Sequence, residues 1–257
     1  MSLADIAIGV GIGLAAGVLS GLFGVGGGIV MTPGVQVLLG APPIVALATP
    51  LPAIFPTALA GAFTYRRRGE VDMRAAAWLA GPGLVGAAAG ALLTEWVTTS
   101  LLLLATATLL AWQAVRILGD ARRPSEQRDA TEASPALLAV AGAGAGLVSG
   151  LLGVGGGIVI VPFLAGWLGM PLKRALGTSL LAIVALVVPG TIVHAALGNI
   201  DLGIFAALTV GAVPGARLGA GVALGARERT LRLAVGGFLL IIAVGYAAAQ
   251  LDSVLGA

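Results

Sequence analysis

The sequence predicts an all-α integral membrane protein with two inverted-topology repeats, each a broken-helix hairpin plus three transmembrane helices. The first supporting observation is composition: 58% of the 257 residues are hydrophobic and only 10% are charged. Soluble domains carry about 25% charged residues, so lipid is the expected solvent for most of this surface. The chain contains no cysteine, which excludes disulfides, thiolate metal sites and cysteine nucleophiles. No cofactor or metal is expected.

The second observation is an internal duplication. The stretch "GLFGVGGGIV" at 21–30 returns as "GLLGVGGGIV" at 150–159, an offset of 129 residues. The same offset aligns 14–91 with 143–220 without a gap, and 31 of those 78 pairs are identical. A repeat of this length indicates a duplicated structural unit. We therefore divide the chain into a first membrane repeat (1–118), a cytoplasmic linker (119–134) and a second membrane repeat (135–257).

Each repeat contains five apolar segments, of which the second is too short to cross a bilayer. At 1.5 Å per residue, eleven residues span about 16 Å, roughly half of a hydrocarbon core. The predicted segments are 3–22, 29–39, 44–64, 73–93 and 98–118 in the first repeat, and 135–152, 158–169, 175–197, 202–224 and 231–249 in the second.

The third observation is the placement of the basic residues, which indicates that the repeats are inverted. Of 14 Lys and Arg residues, 13 fall in four places, at 66–74, 116–128, 173–174 and 227–232. The positive-inside rule makes these places cytoplasmic. In each pair of equivalent loops, the loop of one repeat is basic and the loop of the other contains no Lys or Arg. Both termini are then expected outside the cytoplasm, with the chain in the cell (inner) membrane.

The glycine runs are the leading candidate for a binding site. Non-helical backbone at membrane depth is tolerated where it is buried in protein or lines a cavity, and interrupted helices form the midplane sites of many transporters. The positive end of a short helix beginning after such a run can bind an anion. The predicted substrate-binding glycines are Gly26, Gly27, Gly28, Gly155, Gly156 and Gly157. The alternative is that the glycines only permit close helix packing.

Polar residues within the apolar segments supply further candidates. Thr49 and the pair Thr178–Ser179 lie near the start of the third segment of each repeat and are candidate substrate ligands. Arg217 is the one basic residue outside the four basic places, and it could pair with an anion or be structural. His194, the single histidine, is a candidate for proton coupling or an interfacial polar residue.

Asp72 and Asp201 occupy equivalent positions at the starts of the two fourth segments. Each follows a glycine turn, so N-capping of the following helix explains both carboxylates without any functional role.

Several motifs together resemble one known family. The sequences "SGLFGVGGGIVMTP" and "SGLLGVGGGIVIVP", followed by "ALGTSL" and "GNID", are similar to the TauE/SafE family of sulfite-type anion exporters. The first repeat departs from that pattern, because Pro50 stands where the second has Ser179. The resemblance implies a secondary transporter that exports small anions, sulfite or organosulfonates among them; a passive anion channel is the alternative.

The expected partners follow from that interpretation. They are a small anionic substrate and the lipid bilayer, with no nucleic acid and no enzymatic activity. The oligomeric state stays open, with a homo-oligomer among the options.

Overall fold

The computed structural model describes residues 2–93, 108, 111–112, 115, 118–119, 134–153 and 155–255. Within this part of the chain, the regular structure is helical throughout. The helices are α1 (Leu3–Phe23), α2 (Gly28–Leu38), α3 (Pro43–Ala48), α4 (Pro50–Arg66), α5 (Met73–Leu93), α6 (Pro135–Leu152), α7 (Gly157–Trp167), α8 (Leu172–Ala196), α9 (Leu202–Gly225) and α10 (Glu228–Leu255). Helix α7 is α-helical to Pro162 and then makes a π-helical turn over Phe163–Trp167.

The predicted all-helical membrane architecture is confirmed where the chain is described. Five spans are long and apolar enough to cross a membrane: Leu3–Phe23, Pro43–Arg66, Met73–Leu93, Leu172–Ala196 and Leu202–Gly225. The short second segments are also present, as the eleven-residue helices α2 and α7. The predicted segment 98–118 and the linker 119–134 lie largely outside the described residues.

The predicted third segments take different forms in the two repeats. The second forms one uninterrupted helix, α8. The first is divided at Thr49 into α3 and α4, and Pro50 begins α4. Proline has no N–H to continue the hydrogen-bond ladder of the preceding turn, which accounts for the division.

Each first helix packs against the fourth helix of the other repeat. Helix α1 lies along α9, and its equivalent α6 lies along α5. The backbones approach so closely that a side chain on Gly17 would collide with Ala212, and one on Gly146 would collide with Gly83. Small residues at four-residue spacing allow this kind of packing in membranes. The two repeats are therefore interlocked through these two helix pairs.

Two equivalent hydrogen bonds join the third and fourth helices across the repeats. The Asp201 N–H donates to Thr49 Oγ1 at 3.1 Å, and the Asp72 N–H donates to Thr178 Oγ1 at 2.9 Å. The predicted N-capping by both aspartates is confirmed, since Asp72 Oδ1 accepts from Ala75 N and Asp201 Oδ1 from Gly203 N. These contacts fix where each fourth helix begins relative to the opposite repeat.

Candidate functional site

The glycine runs break the chain between α1 and α2 and between α6 and α7. Gly24 and Gly153 cap the preceding helices in the left-handed region, with φ of 69° and 65°. Gly27 and Gly156 are the N-cap residues of α2 and α7, with φ of 84° and 73°. Residues with a Cβ rarely adopt this conformation, which explains why glycine is repeated. We call Gly24–Gly28 the first bend and Gly153–Gly157 the second bend.

The two bends lie against each other inside the bundle. A methyl group placed on Gly157 would lie 2.5 Å from the Gly24 carbonyl oxygen and 2.7 Å from Val25 Cα. One placed on Gly155 would lie 3.6 Å from the Val25 carbonyl oxygen. The structure thus places two of the predicted glycines, Gly155 and Gly157, against the first bend. The predicted Gly27 and Gly156 instead lie against the preceding helices of their own repeats.

Ile54 and Ile183 cover the junction of the bends. They occupy equivalent positions in α4 and α8 and are both fully buried. A methyl group on Gly26 would lie 3.2 Å from Cγ2 of each isoleucine. Neither isoleucine was predicted from the sequence to be a site residue. The sequence gives one indication of this pair, since isoleucine occurs at the equivalent position of both repeats. That indication is weak because many core positions are also identical in the two repeats.

The bends also orient the ends of the short helices. Neither α2 nor α7 has a side-chain cap, because their N-cap residues are Gly27 and Gly156. The first-turn N–H groups of a helix have no partner within that helix, and they carry the positive end of its dipole. Such an end can stabilise a bound anion.

Ser179 contacts a bend, whereas Thr49 and Thr178 bond elsewhere. Ser179 Oγ donates to the Gly24 carbonyl oxygen at 2.9 Å, so this predicted ligand holds the first bend in place. The hydroxyls of Thr49 and Thr178 accept the two inter-repeat hydrogen bonds described above. The structure therefore gives all three hydroxyls a structural partner.

Arg217 lies on α9 away from the buried bends. Its side chain is exposed, and so is its neighbour Leu218. The face of α9 that packs on α1 is formed by other residues, with Ala216 and Ala220 against Gly21. The structure does not bring Arg217 together with the glycines. Its exposed position favours the structural alternative over the predicted place in an anion path, and a binding measurement is needed to decide between them.

His194 lies at the C-terminal end of α8 and is 6% exposed. Its Nδ1 is 3.4 Å from Asn199 Nδ2. The equivalent residue in the first repeat, Tyr65, is fully buried and donates its hydroxyl to the Gly21 carbonyl oxygen at 2.8 Å.

Asn199 also lines a cavity of about 540 Å³ that is separate from the bends. Its wall includes Asp5 at the start of α1, Gly40 between α2 and α3, and Asp201 before α9. His194 is thus connected to this cavity through Asn199.

The fold defines the class of protein. Long apolar helices, four of which form two pairs through glycine-rich faces, build a multi-pass membrane protein that contains two broken helices. The family model described as "Sulfite exporter TauE/SafE" matches residues 9–246. The chain therefore belongs to the TauE/SafE family, and it is a membrane transporter of that family.

Several curated proteins are similar to this chain over most of their length. A probable membrane transporter protein of Xylella fastidiosa (strain Temecula1 / ATCC 700964) is 30% identical over 255 residues, 95% of each chain. A second one, from Xylella fastidiosa (strain 9a5c), is 31% identical over 222 residues, 85% of each chain. The probable membrane transporter protein YdhB of Bacillus subtilis (strain 168) is 29% identical over 79% of this chain and 84% of its own. No solved structure matches the chain.

Proposed function

We propose that this protein is a secondary transporter that exports a small anion of the sulfite or organosulfonate type through the bacterial inner membrane. The observation that supports the proposal is the contact between the two bends, each of which lies at the N-terminus of a short helix. The family description names sulfite export, and an oxyanion is a chemically suitable ligand for the N-terminus of a helix.

The proposed mechanism follows from the closeness of the bends. Because Gly157 contacts Gly24 and Val25 directly, an anion can enter between them only if the bends separate. The two interlocked helix pairs, α1 with α9 and α6 with α5, provide rigid units that could move relative to each other. Such motion of one unit against another is the usual basis of alternating access in transporters with repeated halves.

We further propose that the repeats are inverted, with both termini outside the cytoplasm. Two contacts support this by grouping the basic loops: Arg174 pairs with Asp72 at 3.3 Å, and Lys173 Nζ donates to the Leu224 carbonyl oxygen at 2.7 Å. The opposite loops meet around the cavity that Asp5, Gly40 and Asn199 line. Reporter fusions after Arg68 and at the C-terminus should give opposite signals, and matching signals would exclude the inverted arrangement.

His194 is the proposed proton-coupling residue, because it is buried and contacts Asn199 at the cavity. In proteoliposomes, the His194→Gln variant should still move the anion down its gradient but lose acceleration by an imposed pH gradient. Unchanged acceleration would remove His194 from the coupling mechanism.

Flux measurements test the transport proposal as a whole. Uptake of labelled sulfite or sulfoacetate into proteoliposomes should saturate with concentration, and each anion should inhibit uptake of the other. Flux that rises without saturation and carries current would instead identify the alternative, a passive anion channel. Absence of flux for both anions would reject the transporter and the channel alike.

A further inference from the structure

Ser20 and Ser149 are two buried hydroxyls for which the fold provides no partner. They occupy equivalent positions in α1 and α6, one turn before Gly24 and Gly153. Each residue is only 1% exposed, and neither Oγ has a hydrogen-bond partner in the described part of the chain. Buried polar groups are normally paired, and each exception requires an explanation. Here the exception occurs at the same place in both repeats.

The usual structural explanation for a serine within a helix does not hold at either position. Such a hydroxyl commonly donates to the carbonyl four residues earlier in its own helix. Thr57 does so with Ala53 at 2.6 Å, and Thr191 does so with Val187 at 2.7 Å. Ser20 and Ser149 make no such bond to Ala16 or Ala145. Their hydroxyls therefore remain available to donate to another molecule.

Both serines lie on the helical turns that support the N-caps of the short helices. A methyl group on Gly156 would lie 3.3 Å from Ser149 Cβ and 2.8 Å from the Ala145 carbonyl oxygen. In the first repeat, a methyl group on Gly27 would lie 3.2 Å from the Ala16 carbonyl oxygen, one turn from Ser20. Each bend thus combines a helix N-terminus of an eleven-residue helix with an unpartnered buried hydroxyl.

We propose that Ser20 and Ser149 are ligands of the transported anion and each donate a hydrogen bond to one of its oxygens. This inference rests on the proposed function and deepens it by naming side-chain ligands and the substrate class. Hydroxyls and backbone N–H groups are neutral donors that suit a small anion with at least two acceptor oxygens, such as sulfite or a sulfonate. The bends must separate before the anion can reach both hydroxyls.

The alanine variants give the sharpest test, because loss of the hydroxyl should weaken anion binding without lowering the stability of the protein. Removing an unpaired buried hydroxyl should leave the melting temperature of the ligand-free protein unchanged or raise it. The Kd for sulfite and for sulfoacetate should rise about tenfold or more in Ser20→Ala and in Ser149→Ala, as expected for loss of a hydrogen bond to a charged group. The Ser→Cys variants, which keep the shape with a weaker donor, should show smaller losses.

Thr57→Val is the matched control, since it removes a buried hydroxyl already paired with the Ala53 carbonyl. Its Kd for both anions should stay close to the wild-type value. Wild-type affinity in both serine variants would overturn this inference and leave the proposed function intact. A lower ligand-free melting temperature with unchanged affinity would make the serines structural and would also overturn it. Absence of anion binding by the wild-type protein would overturn the proposed function, and this inference with it.

Discussion

The first and second bends are nearly identical in sequence and differ in how the surrounding helices hold them. The Gly24 carbonyl accepts a hydrogen bond from Ser179. The residue equivalent to Ser179 in the first repeat is Pro50, which has no hydroxyl to offer the second bend. The same substitution divides α3 from α4, whereas α8 is continuous. After the bends, α2 is α-helical throughout, and α7 ends in a π-helical turn.

This comparison separates what both repeats need from what only one repeat has. Each repeat has the left-handed glycines, one buried serine before them and one threonine–aspartate link. The hydrogen bond from Ser179 is made to the first bend. We infer that Ser179 stabilises the first bend through a hydrogen bond that Pro50 cannot make in the first repeat.

Substitution of the N-cap glycines should have the largest effect. Gly27→Leu and Gly156→Leu should each abolish transport while leaving membrane insertion largely intact, because a large side chain would collide with the preceding helix at Ala16 or Ala145 and displace the bend. With alanine the repeats should differ. The added methyl group would lie 2.8 Å from a backbone oxygen at Gly156 but 3.2 Å from one at Gly27. Gly156→Ala should therefore reduce the transport rate about tenfold, or ~1.4 kcal/mol, and Gly27→Ala should reduce it less.

Transport of labelled sulfite into proteoliposomes at matched protein levels measures this effect. Gly11→Ala is the control, since a methyl group there meets nothing within 4 Å and favours the helix. Equal activity of wild type and both leucine variants would return the glycines to a packing role.

Separate substitutions of Ser179 and Pro50 test the difference between the bends. Ser179→Ala leaves the Gly24 carbonyl without its donor and should lower the free energy of unfolding by about 1–3 kcal/mol. Pro50→Ser adds a hydroxyl at the position equivalent to Ser179 but removes a rigid residue, which costs about 0.4–1 kcal/mol through the unfolded state, so the net change in stability should be small. Thermal unfolding of the purified variants measures both changes. A neutral Ser179→Ala would contradict a stabilising role for the hydrogen bond to Gly24.

The threonines should give a smaller and nearly equal loss in the two repeats. Thr49→Val and Thr178→Val each remove the acceptor for one aspartate N–H. Because those N–H groups are only partly buried, we expect a loss of about 0.5–1.5 kcal/mol in unfolding free energy. The affinity for sulfite should change little. A large loss of affinity with unchanged stability would identify the threonines as substrate ligands, as the sequence analysis predicted.

The sequence was sufficient to predict most helices, because apolar runs in this chain end at glycine, proline or charged residues. The segment 73–93 coincides with α5, and 29–39 differs from α2 by one residue at each end. The division at Pro50 was not predicted, since proline is also compatible with the first turn of a helix. The pairing of α1 with α9 was not predicted either, because it depends on the fit of two backbones far apart in sequence.

The candidate site shows the same division between local and long-range information. The bend glycines could be found because their backbone conformation is a local property of glycine. The partners of Thr49 and Thr178 could not, since Asp201 and Asp72 lie 152 and 106 residues away. Thr49, Thr178 and Ser179 were all predicted from their position near the bends. Of the three, Ser179 is the residue that forms a hydrogen bond with a bend.

Arg217 should have the smallest effect on anion binding, because its side chain is exposed on α9 outside the buried bends. It lies eight residues before Gly225, about 12 Å along the helix axis, and a long guanidinium side chain can extend toward the membrane interface. We therefore expect Arg217→Gln and Arg217→Lys to change the Kd for sulfite by less than about threefold. A direct hydrogen bond to the anion would be worth about 1.5–3 kcal/mol, which corresponds to a loss of tenfold or more. Titration of sulfite against wild type and both variants distinguishes these values. A loss of that larger size in Arg217→Gln, partly recovered in Arg217→Lys, would place this charge in the anion path. It would also mean that the two bends alone do not account for recognition of the anion.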